Sequence, residues 1–119
     1  MIYHSVRLKA KVGVTREQID EALETMRDQG RNIPAVKSFV VGREFGGGFD
    51  CGGVFVIEDL DGYWEYLTHP AHARADRIGM ALVEDYEWSD TVDDDDPLMG
   101  EKIADLQRRW YESTLAPVS

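Results

Sequence analysis

The chain is poor in cysteine, proline and basic residues, and each shortage excludes something. Cys51 is the one cysteine among 119 residues, so no intramolecular disulfide can form. A reducing cytoplasm is the expected setting. Thirteen Lys and Arg stand against 23 Asp and Glu, a net charge of −10. Such a field repels phosphate backbones and anionic lipid surfaces, which argues against nucleic acid or membrane partners. No apolar run approaches the ~20 residues that cross a bilayer. The first nine residues alternate polar and apolar side chains, so no export signal is expected. What remains is ordinary for a folded domain, with 43% apolar and 30% charged residues. The length suffices for one core without a metal or disulfide staple.

Periodicity divides the chain. In residues 2–10, Ile2, His4, Val6, Leu8 and Ala10 fall on one face and Tyr3, Ser5, Arg7 and Lys9 on the other, the pattern of a half-buried strand. Thr15 with Gln18 three residues later forms a capping box, and Val14 can staple onto Ile19. The helix so begun carries Ile19, Ala22, Leu23 and Met26 on one stripe, with Gly30 as the expected terminator. Residues 36–45 and 51–57 read as strands joined through Gly46-Gly47-Gly48. That triplet lacks the Lys-Ser/Thr of a phosphate loop and is a hairpin connection. Gly52 and Gly53 suggest a bulge or a close approach of backbone or ligand.

A short helix follows Asp59, and Pro70 should break it and start another with Ile78, Ala81 and Leu82 facing inward. Residues 83–88 then form a fourth strand. The order β-α-β-β-α-β is ferredoxin-like, an α+β fold. The domain is expected to span residues 1–89. Asp90 and Asp93 to Asp96 mark residues 90–99 as an extended, solvated acidic linker. Residues 100–119 should form a tail helix whose stripe of Ile103, Leu106 and Trp110 docks on its own subunit or a neighbour.

The segment Tyr66-Leu-Thr-His69-Pro70-Ala71-His72, followed by Asp85-Tyr86, combines with His4, Ile33-Pro34 and Val41-Gly42 in one pattern. Residues 1–88 thereby resemble the Dabb family, the stress-responsive A/B barrel domains. The resemblance implies a ferredoxin-like subunit whose sheet packs on that of a second copy, a homodimeric α/β barrel. A polyketide cyclase within the family closes its product by aldol condensation, and its tyrosine and histidine correspond to Tyr66 and His72. Its strand-one histidine corresponds to His4. The helix-one positions lining the same pocket fall on Leu23 and Met26, which replace aromatic residues and leave the substrate open.

The chemistry available to these side chains is proton transfer. An imidazole titrates near neutrality, so His72 is the expected base and an accessible pocket residue, with one nitrogen held by Asp76 or Asp85. Tyr66 would donate a hydrogen bond to an enolate oxygen. His4, Leu23 and Met26 would bind the substrate, a small apolar carbonyl compound, and no cofactor is implied. A structural reading stands beside this one: His69 capping a carbonyl at the helix break, Tyr66 as core, and a non-catalytic oligomer or ligand-binding protein. His69, His72 and Asp76 are metal-ligand types, but Pro70 bends the backbone between the histidines, so no metal site is expected. Nothing near Cys51 marks it as a nucleophile.

Overall fold

The computed structural model describes residues 1–114. Its elements are β1 (Ile2–Ala10), α1 (Arg16–Asn32), β2 (Val36–Arg43), β3 (Cys51–Ile57), α2 (Leu60–Thr68), α3 (Pro70–Met80), β4 (Val83–Val92) and α4 (Met99–Thr114). The strands form one antiparallel sheet in the order β2-β3-β1-β4. This is the ferredoxin-like α+β fold that the element order implied. Strand β1 is paired on both sides, and the alternation read in its sequence appears as burial of Ile2, His4 and Leu8. Phe55, Ile57, Tyr63, Tyr66 and Leu67 complete the centre of the core.

Helix α1 starts as its sequence dictates. Gln18 N–H donates to the Thr15 hydroxyl, and the Gln18 side chain accepts from the Thr15 N–H. Its end differs from the expectation, because the helix runs through Gly30 to Asn32 and Ile33 caps it. Gly30 serves a close approach instead. A Cβ built there would lie 2.2 Å from the Phe39 ring of β2, so the absent side chain makes room for an aromatic that stacks on Phe55. Gly46 and Gly48 do adopt positive φ and turn the hairpin between β2 and β3.

At the break between α2 and α3, His69 caps both helices. Its Nδ1 accepts the Ala71 N–H at 3.0 Å at the start of α3, and its backbone N–H donates to the Tyr66 carbonyl at 3.3 Å at the end of α2. Pro70 occupies the first turn of α3, where its missing N–H costs nothing. The inward face of α3 is His72, Ala75 and Gly79, in place of the expected Ile78, Ala81 and Leu82. Ala81 and Leu82 lie beyond the helix end at Met80, and the helix packs chiefly against α1.

Strand β4 continues four residues past its expected end. Pairing with β1 carries it through Ser5↔Ser89, His4↔Asp90 and Ile2↔Val92, so Asp90 belongs to the sheet. Farther along, Asp93 pairs with the N-terminal amine at 2.8 Å. Asp96 accepts the Leu98 N–H and binds Lys102. The acidic segment is exposed but tied at both ends. Helix α4 docks on its own chain: Ile103 is buried, and Leu106 and Trp110 pack against the core. Residues 115–119 of the expected tail helix lie outside the described residues. Among the described residues no helix is long and apolar enough to cross a membrane.

Candidate active site

Where β1 and β4 pass beneath α3 and α4, the inner face of the sheet is incompletely covered. The result is a cleft of about 470 Å³. Strand β1 contributes His4 and Val6, β4 contributes Trp88, α3 contributes His72 and Asp76, and α4 contributes Trp110. A larger open groove of about 790 Å³ between α2 and α4 holds Asp61, Glu101 and Asp105, with Arg109 over the Trp64 ring. No histidine lines it, so the cleft is the chemical candidate.

His4 stands in a buried hydrogen-bond network. Its Nδ1 lies 2.8 Å from Asp90 Oδ1, and the two side chains are 4% and 5% exposed. Tyr63 donates its hydroxyl proton to Asp90 Oδ2 at 2.9 Å and accepts from Gln107 Nε2 at 2.7 Å. Burial, and then Asp90, raises the Tyr63 phenol far above its ordinary value, which keeps it a donor. The His4 nitrogen facing the carboxylate must therefore carry a proton when the ring is neutral. Nε2 is left as the acceptor, without a hydrogen bond among the described residues. Such an arrangement is that of a base oriented by a carboxylate.

His72 sits differently. It is 9% exposed, not the accessible side chain expected, and its ring lies between Tyr66 at 4.8 Å and Trp110 at 4.9 Å. Its Nδ1 has no hydrogen-bond partner, and neither Asp76 nor Asp85 holds it. Burial pushes the imidazole down to about 4, His4 acts in the same direction, and the Leu67 carbonyl opposes both. Tyr66 is 1% exposed, and burial raises its phenol strongly.

Below His72 a second cavity of about 80 Å³ is lined by Met26, Gln29, Tyr66 and His72. The structure thus brings Tyr66, His72 and Met26 together there, and His4 and His72 together in the cleft. Leu23 lines neither and packs in the core. Burial raises the Cys51 thiol, opposite to what a nucleophile needs. Among the described residues no group of three His, Cys, Asp or Glu could hold a metal ion. Sequence reasoning missed Asp90, Tyr63 and Gln107. Continuing the alternation of Tyr86 and Trp88 to Asp90 would have placed that carboxylate on the face of His4.

A four-stranded antiparallel sheet with helices packed on one face defines a ferredoxin-like α+β domain, and the comparisons agree. The family described as Stress responsive A/B Barrel Domain, Dabb, matches residues 2–93. The chain belongs to the Dabb family. Solved structures similar to it include a dimeric ferredoxin-like protein of unknown function from Thermobifida fusca, 23% identical, covering 76% of this chain and 89% of that one with a TM-score of 0.70. A Dabb family protein from Mesorhizobium loti is 22% identical over 76% and 94% of the two chains, with a TM-score of 0.66. The hydroxynitrile lyase of Passiflora edulis is 14% identical over 79% and 94%, with a TM-score of 0.70. No curated protein matches the chain.

The lowered His72 value has a thermodynamic consequence. The unfolded chain binds a proton on this ring near pH 6.5 whereas the folded chain waits until about 4, so stability is lost as the pH falls through that interval. His72→Gln should flatten the loss by about 2 kcal/mol between pH 7 and 4.5, read by urea unfolding. An unchanged slope would show that His72 is solvated in the folded protein.

Proposed function

We propose that the cleft catalyses proton transfer on a small, uncharged carbonyl compound without a cofactor, in a cyclase- or lyase-type reaction. The observation that carries this reading is the His4–Asp90 pair, a base whose one nitrogen is fixed by a carboxylate and whose side chain lines a cleft of substrate size. His4 is the base in this reading, in place of His72, which burial disfavours as a proton acceptor. His4 Nε2 takes a proton from the carbon beside the carbonyl. The C–H electron pair moves into an enolate, whose oxygen is stabilised by a hydrogen bond from neutral His72 in the cleft lining; Tyr66 packs behind His72 and acts only through that ring. Attack of the enolate carbon on a second carbonyl forms the C–C bond, and His4 returns its proton to the new alkoxide. The lyase direction reverses these steps.

The reading is supported by the Dabb fold and by the presence of a lyase among similar structures. We further propose a homodimer through the outward face of the sheet, in keeping with the description of the Thermobifida protein as dimeric. There Tyr3, Ser5 and Arg7 are half-buried and Val40 is 65% exposed, a mixed surface that calls for cover.

Two experiments test these proposals. In D2O the protein should accelerate deuterium exchange at the α-carbon of a neutral ketone, followed by NMR. His4→Ala should slow the exchange by about 100- to 10,000-fold, and Asp90→Asn should slow it while the fold persists. Exchange unaffected in His4→Ala but lost in His72→Ala would return the role of base to His72. Light scattering at micromolar concentration should give twice the 13.5 kDa of one chain, and a monomer would defeat the dimer.

A further inference from the structure

The cleft has a wall that the family domain does not supply. The Dabb match ends at residue 93, whereas α4 spans Met99–Thr114 and contributes Gln107, Arg108, Trp110, Tyr111 and Thr114 to the lining. Helix α4 is also joined to the reactive network itself, through the Gln107 donation to Tyr63. We propose that this C-terminal helix determines what the cleft accepts, and that Trp110 and Tyr111, facing Tyr86 and Trp88 of β4, select a flat, uncharged aromatic compound over an aliphatic or an anionic one.

Selectivity for shape arises from the aromatic walls. Tyr86, Trp88 and Tyr111 are 49%, 43% and 58% exposed, although Tyr86 and Trp88 pair with Leu8 and Val6 on the inner face of the sheet. Aromatic faces left open on both sides of a cleft offer stacking to a planar guest. An aliphatic chain of equal length obtains only the area term, and the difference is about tenfold in affinity.

Selectivity for charge arises from the polar groups. Asp76 lines the cleft and Asp90 stands directly behind His4. Arg108 is the Lys or Arg side chain in the lining, and its guanidinium is bonded to Asp105 and Glu112 of its own helix. An anion would meet carboxylates without a free cation in a chain of net charge −10. A neutral carbonyl group loses nothing by comparison, since the histidines and Gln107 offer hydrogen-bonding groups.

The inference rests on the same cleft being the reactive site, but binding can be measured without turnover. Three probes separate the terms: 2-acetonaphthone, flat and uncharged; 2-undecanone, aliphatic and uncharged; and 2-naphthoate, flat and anionic. In the full chain, 2-acetonaphthone should shift the indole N–H signals of Trp88 and Trp110 and leave that of Trp64 in place. It should bind about tenfold more tightly than either competitor. Trp110→Leu should weaken it and narrow the gap to 2-undecanone. Tyr111→Ser should act in the same direction, and at an exposed position it cannot unfold the helix. His4→Ala should lose deuterium exchange while the preference for 2-acetonaphthone over 2-undecanone persists, so a failure of catalysis and a failure of this inference give different results. Equal affinity for the three probes, no binding, shifts confined to Trp64, or unchanged affinity in both α4 variants would each overturn it.

Discussion

The Asp90 carboxylate, buried between the His4 ring and the Tyr63 hydroxyl, ties together elements that are far apart in the chain. It comes from β4, its partners come from β1 and α2, and Gln107 of α4 closes the network through Tyr63. A carboxylate this buried is tolerated only when its lone pairs are met by donors. The same requirement fixes the register of the edge strand. Slipping β4 by one residue against β1 would turn Asp90 to the outer face and leave the His4 Nδ1 and the Tyr63 hydroxyl proton without their carboxylate acceptor. The network therefore positions the site and holds the sheet edge at once.

Two histidines a short distance apart acquire different properties from their surroundings. His4 has a carboxylate on one nitrogen and open space beside the ring. His72 is enclosed by Tyr66 and Trp110 and has an unpartnered Nδ1. Burial with no compensating charge favours the neutral ring, and a neutral ring is suited to donating a hydrogen bond. Pocket chemistry of the acid-base kind needs such a division, in which one group accepts the proton and another steadies the charge that appears. Tail helix α4 then sets the Trp110 ring against His72, and β4 sets Trp88 beside His4.

Much of this was written in local sequence. The alternation of β1, the Thr15 and Gln18 capping box and the break at His69-Pro70 each depend on residues within a turn or a strand, and each appears in the structure. The readings that differed depend on partners distant in the chain. Gly30 looks like a terminator until Phe39 is placed against it. The inward face of α3 is His72, Ala75 and Gly79, small or polar residues that hydrophobic periodicity does not register. Asp90 resembles its acidic neighbours in sequence, and only pairing with β1 distinguishes a buried ligand of two donors from a solvated linker. His4, Tyr66 and His72 were legible through the family pattern, whereas the partner that orients His4 was not.

The central claim is that Asp90 fixes His4 with its proton on Nδ1 and Nε2 free as the acceptor. Long-range proton–nitrogen NMR of the imidazole side chains reads this directly. In its neutral form His4 should show a protonated Nδ1, with the proton shifted downfield by the carboxylate, and an unprotonated Nε2; Asp90→Asn should abolish the pattern. A His4 ring protonated at Nε2, or one indifferent to Asp90→Asn, would contradict the account.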